Sequence, residues 1–281
     1  MMRIKTIGLS GVLAITFLGS CGTFPASTAS KKSNSCQQDH HTPVRTEVKN
    51  ISGDPANLPP AQKQDPTIPI PGYFPKYPQA WLNFHKKHLQ QTRKNKINIA
   101  FLGDSITQGW GKHKKLWQKE YGSRGAVNFG IGGDRTQQIL WRIDHGLFDH
   151  MRPQLVVLNI GVNNLWRGSS SPVRITAGIE KIVDAIQTKS PQTKILLLGI
   201  FPTGKQPNTP IRKRIRAINA LVAKLDNGKT IRFLDIGSQF LEADGKISKS
   251  VMPDYLHLSR KGYQIWATSM HNSFTQILKE D

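Results

Sequence analysis

Short apolar runs alternate with amphipathic helical patterns from residue 97 to the last helical segment, and this alternation constrains the fold more than any other feature. The runs are Ile97–Leu102, Val127–Ile131, Leu155–Ile160, Ile195–Ile200 and Ile231–Leu234. Each has the length and the nearly unbroken hydrophobicity of a strand covered on both faces. Between them lie helical patterns. Asp134 is expected to cap a helix carrying Ile139, Leu140 and Ile143. Ile175, Ile179, Ile182, Val183 and Ile186 mark a second helix, and Ile211, Ile215, Ile218, Leu221, Val222 and Leu225 a third. A closing helix runs from Arg260 to Leu278, with Tyr263, Trp266, Met270, Phe274 and Ile277 facing inward. A further helix, Pro78–Arg93, precedes the first strand; its His85 and His88 are expected at the surface or the domain edge. Strands and helices in this order make βαβ units, hence a parallel sheet with helices on both faces.

The N-terminal part reads differently. Arg3 and Lys5 precede an apolar stretch, Ile7 to Leu18, of the length of an export signal and too short for an ordinary membrane-spanning helix. It ends in Leu18-Gly19-Ser20-Cys21, which resembles the lipobox of bacterial lipoproteins, where cleavage precedes a cysteine that is then acylated. The expectation is a signal peptide over residues 1–20, lipid attachment at Cys21, and a membrane-anchored protein exported to the bacterial cell envelope. Residues 21–72 are rich in Ser, Pro, Thr, Gln and Lys without a hydrophobic period, so they are expected to be a disordered tether to a catalytic domain over 73–281. Cys21 and Cys36 are the two cysteines, which excludes a disulfide framework and a cysteine-based metal site in the main body. The formal net charge of +21 suits anionic surfaces. No zinc-ligand spacing or RNA-binding signature accompanies it, so nucleic acid is not the expected partner.

Four stretches fall at the carboxyl edge of the expected sheet, where open α/β folds bind ligands. Ser105 follows the first strand, Gly132-Gly133 the second and Asn163-Asn164 the third, while Asp254-Tyr255-Leu256-His257 lies before the last helix. These are the residue types acyl transfer requires. A serine hydroxyl needs a base to become a nucleophile, and histidine suits that task near neutral pH. The histidine needs an acceptor on its other nitrogen, which an aspartate three residues earlier can supply. The tetrahedral oxyanion needs fixed donors; the amides of Ser105 and Gly133 and the side chain of Asn163 are the candidates.

In the blocks Phe101–Trp110 (FLGDSITQGW), Asn128–Ile143 (NFGIGGDRTQQILWRI), Leu155–Asn164 (LVVLNIGVNN), Ile195–Pro202 (ILLLGIFP), Phe233–Gly237 (FLDIG) and Met252–Ser259 (MPDYLHLS), the chain resembles the SGNH, or GDSL-type, hydrolase superfamily. Within it the resemblance is to the platelet-activating-factor acetylhydrolase catalytic subunits and their bacterial relatives. It implies a flavodoxin-like three-layer α/β/α sandwich, a parallel sheet of about five strands, and neither metal nor organic cofactor. The family's nucleophile falls on Ser105, its acid and base on Asp254 and His257, and its oxyanion donors on Ser105, Gly133 and Asn163. Val162 stands where relatives often carry a hydroxyl residue, which touches substrate fit. The α/β-hydrolase elbow, G-x-S-x-G, is absent.

The expected function is a serine esterase that removes short acyl groups from a carbohydrate or lipid. The alternative is a catalytically silent envelope protein that holds anionic polymer on its basic surface.

Overall fold

The computed structural model describes residues 65–72, 74, 76–77, 79–167 and 170–279. The expected signal peptide, Cys21, Cys36 and the tether as far as residue 64 lie outside the described residues.

Five strands form one sheet: β1 (Ile99–Gly103), β2 (Ala126–Asn128), β3 (Leu155–Asn159), β4 (Lys194–Leu198) and β5 (Ile231–Leu234). All pair in parallel, in the order β2-β1-β3-β4-β5. Every residue of β1 and β3 is buried, as the apolar runs require for strands covered on both faces. The edge strand β5 is buried only at Ile231, and β2 spans three residues, although the N–H groups of Phe129 and Ile131 beyond it still donate to the carbonyls of Phe101 (2.8 Å) and Gly103 (3.1 Å) in β1.

Helices flank the sheet: α1 (Ala80–Lys94), α2 (Ser105–Gln108), α3 (Lys114–Glu120), α4 (Thr136–Arg142), α5 (Val162–Arg167), α6 (Pro172–Lys189), α7 (Pro210–Val222) and α8 (Arg260–Lys279). The starts of α6 and α7 share one device. Ser171 and Thr209 cap them through side-chain oxygens that accept from the N–H of Arg174 and Arg212, and proline follows each cap, where its missing N–H costs nothing. The residues expected to face inward from α8 are all buried, and Trp266 and Tyr263 pack there with Trp110 from the turn after α2.

The chain passes from β1 to β2 on one side and returns to place β3 on the other. This reversal opens a crevice at the carboxyl ends of β1 and β3, and it fixes where the loops after those strands meet. Gly103 closes β1 there; a Cβ at this position would stand 2.4 Å from the carbonyl oxygen of Asn159 at the end of β3.

Three expectations need correction. His85 and His88 are buried, at 4% and 8% exposure, because Trp81, His85, His88 and Thr92 form the face of α1 turned to the domain. Asp134 does not cap α4. Arg135 stands at that position, its N–H bonded to the side chain of Gln138, while Asp134 turns into the interior with no exposure. Residues 65–72 are not a loose end of the tether. Thr136 Oγ1 donates to the carbonyl of Pro66 (2.7 Å), Ile70 N–H to that of Gln137 (3.3 Å), and Arg174 pairs with Asp65. The N-terminal turn of α4 thus meets the segment in both senses, its Thr136 hydroxyl donating to the Pro66 carbonyl and its Gln137 carbonyl accepting from Ile70 N–H.

Candidate active site

The first loop of the crevice follows β1. Asp104 caps α2, one carboxylate oxygen accepting from Ile106 N–H at 2.9 Å, and Ser105 is the first helical residue. A serine there presents its amide at a helix N-terminus and its hydroxyl to the crevice. Ser105 Oγ lies 2.9 Å from His257 Nε2, across 152 residues of sequence. On the other side of the imidazole, Nδ1 lies 2.7 Å from Asp254 Oδ2. Asp254 Oδ1 in turn accepts from the backbone N–H groups of Leu256 (3.1 Å) and His257 (2.7 Å).

These contacts fix the chemistry of the imidazole. An ionised carboxylate only accepts, so Nδ1 carries the proton and Nε2 is left to accept from the Ser105 hydroxyl. Partial burial works against the Asp254 carboxylate. The hydrogen bonds from the His257 ring, the His257 N–H and the Leu256 N–H outweigh it and hold the carboxyl below its ordinary range. The His257 side chain is 46% exposed, so the row opens to solvent.

The second loop, Gly130–Asp134, lies beside α2. Gly132 N–H donates to Gln108 Oε1 at 3.1 Å, and a Cβ on Gly132 would stand 3.7 Å from that of Ser105. Gly133 sits at φ 79°, a conformation glycine adopts without strain. Among the described residues its N–H has no acceptor. The third loop brings Asn163 from the start of α5. Its Nδ2 donates to the carbonyl of Asp134 at 3.0 Å and lies 3.3 Å from Asp104 Oδ2. Asn163 thus ties the loop after β1 to the loop after β2. The structure therefore brings Ser105, His257 and Asp254 into one hydrogen-bonded row, with the Gly132-Gly133 turn and Asn163 in the adjoining loops.

Two features escape the sequence. Asp104 has no exposure and, among the described residues, no cation partner, and burial, with Asp134 nearby, pushes its carboxyl up to about 7. The motif shows Asp104 as a cap, but its contact with Asn163 is a tertiary event. The other feature is a buried polar network beneath the second loop. Arg142, fully buried, pairs with Asp134 at 3.0 Å and donates to the carbonyl of Phe129 (2.8 Å) and to His88 Nδ1 (2.9 Å). Trp81 Nε1 donates to the other Asp134 oxygen at 2.6 Å. Burial draws the Asp134 carboxyl up to about 6 against the pull of Arg142, so the pair is ionic at neutral pH. Burial first, then the Arg142 charge, push His88 down to about 2 and His85 to about 4, and both rings stay neutral. The signal was an arginine on the apolar face of a helix, three residues from Ile139 and one from Ile143. Among the described residues no group of three or more His, Cys, Asp or Glu is arranged to hold a metal ion.

The arrangement supplies a nucleophile, a base and an oriented carboxylate beside a loop with an unused amide donor, the parts list of acyl transfer. Residues 101–265 match the GDSL-like Lipase/Acylhydrolase family. Platelet-activating factor acetylhydrolase IB subunit alpha1 of Rattus norvegicus is 35% identical over 233 residues, covering 82% of this chain and 95% of the relative. Subunit alpha2 of the same animal is 33% identical over 201 residues, covering 71% and 86%. Among solved structures, a GDSL-like lipase from Bacteroides thetaiotaomicron aligns with a TM-score of 0.58 at 20% identity, covering 68% of this chain and 97% of its own. A catalytic mutant of an acetylxylan esterase from Geobacillus stearothermophilus aligns with a TM-score of 0.52 at 20% identity, covering 63% and 92%. The last two show a shared α/β fold. Family match and relatives together show that the chain belongs to the GDSL-like lipase/acylhydrolase family and is a GDSL-type ester hydrolase.

Proposed function

We propose that the chain is a serine esterase that removes short acyl groups from an oxygen on a carbohydrate or lipid, with Ser105 as nucleophile, His257 as general base and Asp254 as its orienting carboxylate. The observation that carries this reading is the row Ser105 Oγ–His257 Nε2–Asp254, closed by contacts of 2.9 and 2.7 Å. His257 takes the Ser105 proton as Oγ attacks the ester carbonyl. The Ser105 N–H, the Gly133 N–H and Asn163 Nδ2 hold the oxyanion; the loose 3.3 Å contact from Asn163 to Asp104 is the one the oxyanion replaces. His257 then returns the proton to the leaving alcohol, and water releases the acid by the reverse route.

The relatives near 35% identity carry names for removal of an acetyl group, which supports a short acyl chain. The test is hydrolysis of a nitrophenyl ester series. The reading predicts rates highest on acetate and falling with acyl length. Rates rising steadily with length contradict the short-acyl part.

The N-terminal motif supports a second element of the proposal: removal of residues 1–20 and acylation of Cys21, anchoring the enzyme to a bacterial envelope membrane. Incorporation of labelled palmitate into the full chain, abolished by Cys21→Ala, is the expected result. Equal or no label in both proteins refutes the anchor.

A further inference from the structure

Tyr255 is the one described non-glycine residue with a positive φ, at 61°, and it lies between the proposed orienting carboxylate and the proposed base. A bulky L-residue holds this conformation only where its surroundings enforce it. The enforcement comes from another part of the sheet edge. The carbonyl of Tyr255 accepts from Thr203 Oγ1 at 2.9 Å and from Gly204 N–H at 2.8 Å. The carbonyls of those same two residues are fixed by one side chain. Arg212, from the first turn of α7, donates through Nε to Thr203 at 2.7 Å and through Nη2 to Gly204 at 2.9 Å. Thr203 and Arg212 are both buried, at 1% and 3% exposure.

We propose that Thr203 and Arg212 are positioning residues for the Asp254–His257 pair, forming a clamp that keeps Tyr255 left-handed. The inference rests on the acid–base reading above. The left-handed turn at Tyr255 lets the chain fold back, so that Asp254 Oδ1 meets the N–H groups of Leu256 and His257 while Oδ2 reaches the imidazole. Neither clamp residue takes part in the Ser105–His257–Asp254 row. Without the clamp, Tyr255 relaxes to a negative φ and the imidazole swings from the Ser105 hydroxyl. Loss of alignment by about an ångström is worth on the order of a hundredfold in rate.

The test is Thr203→Val, which keeps shape and removes the one hydroxyl. The expected result is a drop in kcat of about tenfold to a hundredfold at unchanged KM, with an unchanged circular dichroism spectrum. Arg212→Lys, which keeps the charge and loses the two-pronged contact, should behave alike. The discriminating arm is Thr203→Val with Tyr255→Gly. Glycine occupies positive φ as readily as negative, so the double variant should regain most of the lost kcat, a recovery that simple loss of packing would not give. Wild-type kcat in Thr203→Val overturns the clamp, as does a loss that Tyr255→Gly fails to relieve. Parallel measurement of His257→Ala separates the two levels: if it retains activity, the acid–base reading itself fails, whereas an inactive His257→Ala beside a fully active Thr203→Val refutes the clamp alone.

Discussion

At the scale of single residues, the account turns on donors and acceptors that each have one geometry in which they work. Asn163 is the sharpest case, because its one amide group holds the Asp134 carbonyl and lies against Asp104. Asn163→Ala is expected to lower kcat about 10²- to 10³-fold through loss of an oxyanion donor. It should also cost about 1–2 kcal/mol of stability, since the two loops lose their tie. A steady-state assay beside a denaturant titration checks both, and a near-normal kcat removes Asn163 from the mechanism. The positions of Ser105, Gly133, Asn163, Asp254 and His257 were legible in the sequence because each follows a strand or precedes the last helix. Turn chemistry and the residue types of acyl transfer mark such places. The contact of Asp104 with Asn163 and the left-handed Tyr255 were not legible. They depend on loops that meet only when the sheet is assembled.

At the scale of elements, α1 and α4 hold the second loop from beneath through Arg142. Replacing Arg142 with Met leaves the Asp134 carboxylate buried without its cation, with only the Trp81 N–H on its other oxygen, which is expected to cost about 3–5 kcal/mol near neutral pH. The sign with pH follows from Asp134. Its carboxyl is raised in the folded protein, and more so without the arginine, so the folded state favours the protonated form. Stability from that source is present below the ordinary carboxyl range and lost as pH rises through the raised value. The variant's deficit should therefore be larger at pH 8 than at pH 5 in urea titrations. A deficit independent of pH contradicts the ionic reading of the pair. Helices α1, α4, α6, α7 and α8 were legible from their apolar spacing, whereas α2, α3 and α5 carry no such pattern. The buried face of α1 was in principle legible too. Trp81, His85, His88 and Thr92 stand at i, i+4, i+7 and i+11. Two histidines and a threonine on that stripe disguised it, because their hydropathy is that of a surface. Asp134 misled for a related reason: an aspartate before a helix reads as a cap, and only the buried Arg142 reveals its other use.

At the scale of the whole molecule, the sheet order β2-β1-β3-β4-β5 places the crevice at the carboxyl ends of β1 and β3. Loops from distant parts of the chain converge there. That architecture was legible because parallel strands buried on both faces leave unbroken apolar runs, and the turn residues after each run mark the working edge. Strand lengths were less legible. The apolar run continues through Phe129–Ile131, beyond the three residues of regular strand in β2, because these residues stay buried and still bond to the β1 carbonyls. The packing of residues 65–72 also escaped, because a non-helical segment held by single backbone contacts has no periodic pattern to betray it. What the convergence produces is tested most directly by p-nitrophenyl acetate hydrolysis and fluorophosphonate labelling of the purified full chain beside Ser105→Ala. The account predicts hydrolysis and stoichiometric labelling in the parent and loss of both in the variant. Equal hydrolysis in the two proteins, or a parent that neither hydrolyses the ester nor takes the label, would contradict it.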